Sequence, residues 1–369
     1  MFSKLRRGEP TPQSSGPASA GDTMARDYRK YVYRKILFII GCVVAAIIVF
    51  AYATTYGSSN ISMWDVYSTI WNHFFNPELV DPYDEWAIFT IRLPRICAGL
   101  IAGMSLGVAG AAMQSMMKNP LADPYTTGIS SGASFGATLA IGLGISVGGA
   151  GDAGLVLTAF VFSLIPAAVI ILVSSLKHTS AATMILAGIA VMYLFNAATT
   201  IIKLGLSDSS LSAVFNWTVG DLSGTTWSDC QVMLVFTVIG TVILWALSKK
   251  LNILITGDKN AKALGLDAHK LRIVLLILIS LMAASIVCFT GIIGFVGLVA
   301  PHIVRIFLGS DNRYLIPASA MFGAVLLMVA DLISRWVIAP TFLPVGVITA
   351  FIGCPMFMYL LIKSKNSVW

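Results

Sequence analysis

Four histidines and five cysteines are the residues with which this 369-residue chain could hold a metal or close a disulfide, and their placement argues against both. A structural metal site gathers Cys and His at short fixed spacings such as C-x-x-C, because the ion must be closed on all sides. Cys42, Cys97, Cys230, Cys288 and Cys354 instead lie within or beside apolar runs, with no CxxC pair, and His73, His178, His269 and His302 are equally scattered. The cysteines read as small buried hydrophobes. No paired carboxylates and no Ser/His/Asp set point to acid–base or nucleophilic catalysis. No G-x-x-x-x-G-K-[ST] loop offers a phosphate cradle. The chain is expected to bind no cofactor or metal and to catalyse no reaction itself.

What remains is charge placed to meet a partner. Arg92, Arg95 and Arg335 stand at the ends of apolar runs, and the guanidinium fork suits carboxylates. Two readings are open: docking of an acidic outer partner, or anchoring to lipid headgroups or pairing with Asp331, one helical turn before Arg335. The second charged feature is Lys249–Arg272, KKLNILITGDKNAKALGLDAHKLR. Asp258 can cap a short helix, Lys259–Leu264, with Gly265 in the left-handed position that ends it. Asp267 can cap the next helix, which runs on into an apolar segment. The pair would form a compact knob for the cleft of a partner; the alternative is a solvated loop made basic by topology alone.

The elements that must position these charges are apolar. The chain is 57% hydrophobic, 11% charged and has a mean hydropathy of +0.84, against roughly 25% charged in a soluble domain. A soluble protein could not hide so much apolar surface, so this is a polytopic membrane protein of all-α class. Crossing a bilayer takes roughly 20 apolar residues. Ten candidate spans result: Ile36–Ala53, Ile96–Met117, Tyr125–Val147, Ala153–Leu176, Ala181–Ile202, Gln231–Leu247, Ile273–Phe289, Gly291–Ile306, Leu315–Ile333 and Phe342–Ile362. No β alternation competes. Residues 1–32, rich in Pro, Gly, Ser and Arg, read as a flexible tail, and 33–369 as the membrane domain. Ala51-Tyr-Ala53 imitates a cleavage site, but about 35 residues precede the apolar run, very long for a signal peptide, so an uncleaved span is expected.

With a cytosolic N-terminus, 20 of the 24 Lys and Arg fall on inner segments and only Arg92, Arg95, Lys203 and Arg335 outside. That asymmetry places both termini in the cytosol. It also accounts for the net charge of +7 without nucleic acid, for which no aromatic-and-basic groove is visible. Trp64, Trp71, Trp86, Trp217, Trp227 and Trp336 would form an outer interfacial belt.

Within the spans His302 is the ionisable residue singled out, near an inner end, so a proton or sodium relay has almost nothing to work with. Energy for uphill movement would have to come from another polypeptide.

Gly99, Gly103 and Gly107, continued by Ala111, recur every fourth residue and would let another backbone come close in lipid. Gly291, Gly294, Gly297 and Pro301 predict a short, bent, closely packed eighth span. Asn216–Gly224 reads either as a re-entrant turn lining a cavity or as a surface loop.

These residues resemble a known family. RLPR (Arg92–Arg95), NPLADP (Asn119–Pro124), LAG (Leu186–Gly188), GDLSGTTW (Gly220–Trp227), AKALGLD (Ala261–Asp267), GFVGLVAPHIVR (Gly294–Arg305) and LPVGVITAFIGCPMF (Leu343–Phe357) occur in the order found in FecCD-type permeases of ABC importers. That family takes up ferric siderophores, haem and cobalamin. The resemblance implies ten helices per chain and a dimer of two copies or two similar chains, with the solute path between them. It further implies two ATPase subunits beneath, which use ATP and Mg, and a solute-binding protein above, in the cell membrane of a prokaryote. By the same resemblance Arg92, Arg95 and Arg335 would dock the binding protein. Asp258, Ala261, Leu264, Gly265, Leu266 and Asp267 would belong to the coupling helices, about 258–271, that enter the ATPases. Asn119 and Leu121 would form one part of a cytosolic gate and Thr179, Ser180, Ala181 and Ala182 another. Cobalamin members carry Thr-Ser where Ala181-Ala182 stand here.

The expected function is therefore ATP-driven inward passage of a bulky iron chelate, haem or cobalamin by alternating access. Small polar residues such as Ser130, Ser131, Ser134 and Thr218 would line the path. The rival expectation is an ion-coupled secondary transporter.

Overall fold

A long apolar run cannot satisfy its amides from lipid, so each closes its own i→i−4 bonds as helix. A computed structural model of the protein describes residues 20–57, 61–177, 181–338, 341 and 343–363, and among these every regular element is helical. The helices are α1 (Ala20–Thr55), α2 (Met63–Phe75), α3 (Pro82–Trp86), α4 (Leu93–Met117), α5 (Ile129–Leu143), α6 (Asp152–Lys177), α7 (Ala181–Lys203) and α8 (Asp208–Val219). There follow α9 (Trp227–Ala246), α10 (Ser248–Ile255), α11 (Asp258–Ala263), α12 (Ala268–Thr290), α13 (Val296–Leu308), α14 (Asn312–Trp336) and α15 (Val345–Lys363). Seven helical stretches are long and apolar enough to cross a membrane, and α5, α13 and α15 are shorter apolar helices where the other three spans were expected. The protein is a multi-pass membrane bundle.

Three local expectations change. Residues 20–32, read as flexible tail, belong to α1; extending an existing helix needs no new nucleus, and Ala, Met, Arg and Lys favour it. α2 was unforeseen: Ser62 caps it through Asp65 N–H, and it leaves Trp64, Trp71, Phe74 and Phe75 exposed. α10 was hidden by Lys249-Lys250 at its start, yet Leu251 and Leu254 are buried.

α4 is the centre of the bundle. Of its apolar window 83% is buried within the protein, against 17% for α1 and 17% for α7, which lie at the edge. It packs on α9, α12, α13 and most extensively α14. The glycine stripe explains this. A methyl on Gly103 would strike the carbonyl of Gly323, and one on Gly107 that of Ser319, both on α14. Gly99 faces the side chains of Leu222 and Met328, while Gly110, off the foreseen stripe, lies against the backbone of Gly297 on α13.

The eighth span is broken as well as short. Residues 291–295 are not helical, and Phe295 takes a left-handed φ of 67° before α13 begins. The turn after α8 fills this break. Asp221 N–H donates to Thr290 O at 2.9 Å, and Gly346 N–H at the start of α15 donates to Gly220 O at 3.1 Å. Gly220 (φ 79°) and Gly291 (φ 65°) must both be glycine, since methyls would meet the carbonyls of Ile292 and Trp217. Asn216–Gly224 thus comprises the last residues of α8 followed by a turn bonded to the ends of α12 and α15.

The expectation of nearly uncharged spans needs correction. Arg305 in α13 and Asp331 in α14 fall inside the spans drawn, and both are buried.

Candidate functional site

The bundle has two charged ends, and the residues expected on each side of the membrane gather at one of them. At the end expected to be outer, α1 finishes beside the start of α4 and the last turn of α14. Asp331 is 2% exposed and bridges two arginines. Its Oδ1 accepts from Arg95 Nε at 2.8 Å, and its Oδ2 lies 3.0 Å from Arg335 Nη2. Arg335 Nη1 also donates to Ala53 O at 3.2 Å and Tyr56 O at 2.7 Å. Arg92 Nη1 donates to Thr54 O at 3.1 Å and Thr55 O at 3.2 Å. A helix C-terminus leaves its last carbonyls unpaired and carries partial negative charge, so two guanidiniums there satisfy α1 electrostatically. Arg95 Nη2 also lies 3.9 Å from Asp221. The three arginines are brought together, but they are buried and turned inward, the internal pairing weighed from sequence. Carboxylates outnumber these cations on the same side, where Asp65, Glu78, Asp81, Asp84, Glu85, Asp208 and Asp229 also lie, so this end is not net positive.

At the inner end the knob forms, with one role exchanged. Gly257 (φ 118°), not Asp258, precedes α11, and Asp258 caps nothing. A carboxylate beside two cations is better held by them than by amides. Arg272 Nη2 and Nη1 donate to Asp258 Oδ1 and Oδ2 at 2.6 and 3.0 Å, and Lys118 Nζ donates to Oδ1 at 3.2 Å. Hydrogen bonds from Arg272, with help from Lys118 and against some desolvation, hold the Asp258 carboxyl down at about 2. Asp267 does cap α12, accepting from His269 N and Lys270 N at 3.1 Å, and Gly265 is left-handed at φ 77°. Ala261 is fully buried and Leu266 half-buried, whereas Leu264 is 67% exposed. Leu264 is the residue that ends α11.

The loop of Asn119 and Leu121, expected to form one part of a gate, closes on its own side chains. Asn119 Oδ1 accepts from Leu121 N at 2.9 Å, and Asp123 Oδ1 accepts from Tyr125 N at 2.8 Å, so each Asx residue folds its own turn around a proline. Leu121 projects outward, exposed. In the second gate loop, Thr179 and Ser180 lie outside the described residues; Ala181 and Ala182 open α7.

The four path hydroxyls divide. Ser130 and Thr218 are half-buried. Ser131 and Ser134 are buried, so they line no open face of this chain. Gly132 and Gly136 draw α5 onto the α6 backbone, and Ile129 and Ala133 pack with Ala283 and Val287 of α12, whereas the helical period puts Ser131 and Ser134 on the other side of α5.

Sequence reasoning missed Lys118, Arg272, Asn252 and Asn312. Asn252 Oδ1 accepts from Asn312 N at 2.8 Å, and Ser115 donates to Asn312 Oδ1 at 2.8 Å, tying α10, α14 and α4 into one base. The available signals were a lysine where a helix-ending glycine is usual, and an arginine that its apolar run does not require.

Comparison with known proteins agrees with this architecture. A protein of Methanocaldococcus jannaschii assigned as an ABC transporter permease is 40% identical over 350 residues, 92% of this chain and 98% of its own. The Fe(3+)-citrate import system permease YfmD of Bacillus subtilis is 34% identical over 344 residues, 92% of this chain and 98% of its own. Other relatives are named as vitamin B12 and hemin permeases. A solved inward-facing conformation of a transporter assigned to the metal-chelate ABC type superposes with a TM-score of 0.77 at 28% identity, over 88% of this chain and 98% of that one. The family model of the FecCD transport family matches residues 43–363, and the chain therefore belongs to that family of ABC importer permeases.

Proposed function

We propose that this permease carries a bulky iron chelate, haem or cobalamin into a prokaryotic cytosol, two copies enclosing the path and an ATPase dimer working them from below. The supporting observation is the knob. Leu264 projects into water from a helix that Asp258 holds to Arg272 of α12 and to Lys118 at the end of α4. An ATPase gripping that leucine would pull on α12 and on the loop of Asn119 and Leu121 together. ATP must then favour one conformation over the other, since only differential affinity shifts a population.

The inner end is read as cytosolic from its excess of Lys and Arg, with both termini on that side. The buried arginines assign the outer end a different role from direct docking contacts. They would hold the ends of α1, α4 and α14 in place beneath the surface that a solute-binding protein meets. Ser130 and Thr218 remain the path-lining candidates. The substrate classes are those in the relatives' names: ferric citrate, hemin and vitamin B12.

The test is uptake into liposomes holding the permease, its ATPase and its binding protein. Uptake should require all three and hydrolysable ATP. Uptake that persists without the ATPase, or that a protonophore abolishes at constant ATP, would replace this reading with ion coupling.

A further inference from the structure

Among the described residues only two other than glycine have positive φ, and one of them, Lys118 (φ 50°, ψ 39°), ends α4. Glycine is the usual residue there, because a Cβ is disfavoured in the left-handed region. The position is nevertheless lysine, and its ammonium reaches Asp258 on the knob, with the Gly257 turn passing close by. We propose that Lys118 is a positioning residue for transport: it transmits displacement of the α11 knob to the gate loop that starts at the next residue, Asn119. The proposal rests on the ATPase-coupled reading above.

The surroundings restrict where such a displacement can go. The N–H groups of Lys118 and Asn119 both reach Gln114 O. The Gln114 side chain donates to Leu298 O of α13 at 3.0 Å, and Ser115 is bonded to Asn312 of α14. The last turn of α4 is thereby fixed to two other helices. The left-handed residue closes that fixed turn, and its side chain is the one that holds Asp258. The same carboxylate is gripped by Arg272, which is buried at the foot of α12. Motion of α11 is therefore divided between a helix that packs on α4, α6 and α9 and a loop that ends in the exposed Leu121. The solvent-facing pair with Lys118 is the weaker branch and so the adjustable one.

The left-handed backbone makes a decisive variant available. In Lys118→Gly the cap is preserved or improved while the ammonium is lost. Wild type, K118G and K118R are compared as full permease with ATPase and binding protein in liposomes, with ferric citrate, hemin and cyanocobalamin as probes. The readouts are thermal stability, ATP hydrolysed, and probe taken up per ATP. K118G should melt at or above wild type and continue to hydrolyse ATP. Its uptake per ATP should fall about fivefold, the most that a partly exposed pair contributes, and K118R should recover most of it. Wild-type uptake per ATP in K118G would overturn the proposal, as would a K118G that melts lower, because Lys118 would then be structural. A wild type that takes up none of the probes with ATP would instead overturn the functional reading on which the proposal rests.

Discussion

Arg95 and Asp331 are 236 residues apart in sequence and meet through a buried 2.8 Å contact that joins the start of α4 to the end of α14. Asp331 is shared with Arg335, so one carboxylate holds two guanidiniums at the same end of the two most closely packed helices. Asp331→Ala should leave both cations without their carboxylate and destabilise the protein by about 3–5 kcal/mol. Thermal unfolding in detergent reads this. An unshifted midpoint would show that the pair contributes nothing to stability.

The same geometry changes how the outer arginines must be tested. Because Arg92 and Arg335 satisfy the carbonyls that end α1, reversing them to glutamate would damage the fold before any docking could be measured. Arg92→Lys keeps the charge but not the paired reach to Thr54 and Thr55. It should lower stability by about 1 kcal/mol while preserving the salt dependence of binding-protein association. Loss of that salt dependence in the lysine variant would return Arg92 to direct contact.

The glycines give a paired prediction. Gly107→Ala places a methyl against the Ser319 carbonyl on α14, whereas nothing lies within 4 Å of a methyl at Gly41. G107A should cost about 1–3 kcal/mol through forced separation of the helices, and G41A should be neutral. Equal melting of the two variants would contradict α4–α14 contact as the central interface.

How much of this was legible in the sequence follows from what one residue can reveal about its neighbours. Apolar runs located the spans, and the four-residue spacing found Gly103 and Gly107, because both signals are periodic along one helix. Which glycine meets α13 is decided by the partner, so Gly110 was indistinguishable from the rest. Asp258 is the sharper case. A carboxylate at a helix start is ordinarily a cap, and only the fold brings Arg272 and Lys118 close enough to claim it instead. The pairing of Asp331 with Arg335 was legible because both lie one turn apart on α14, but Arg95 comes from another segment, and the inward turn of the arginines depends on where α1 ends. The π-helical stretch Ala87–Arg92 before α4, which sets the register of Arg92, likewise carries no periodic signature.

The clasp at Asp258 should be insensitive to acid over the physiological range. Its carboxyl is depressed from 3.8 to about 2, chiefly by hydrogen bonds from Arg272. A depressed carboxylate contributes its stability above the unfolded value and loses it as pH falls through the folded one. Between pH 5 and 9, melting curves of wild type and Asp258→Asn should therefore differ by a constant amount. Added salt should shrink the Lys118 share of that difference, since that pair is partly exposed. A gap between the two proteins that stays constant below pH 4, instead of shrinking as pH falls toward about 2, would mean that Asp258 keeps its ordinary value and that Arg272 does not grip it.

The knob separates fold from contact within a few residues, which permits the most direct test of the ATPase partner. Ala261 is fully buried while Leu264, three residues on, is 67% exposed. Ala261→Leu should overfill the site under α11 and lower stability by about 1–3 kcal/mol. Leu264→Ser removes an apolar side chain from water and should leave the melting temperature unchanged or slightly raised. If Leu264 fills a cleft of the ATPase, the same serine loses about 1.5–3 kcal/mol of burial, roughly a ten- to hundredfold weaker association. Pull-down of the ATPase by full-length permease in detergent, with melting measured on the same samples, reads both quantities. Undiminished capture by L264S in a normally folded protein would remove the leucine, and with it the tip of α11, from the ATPase interface.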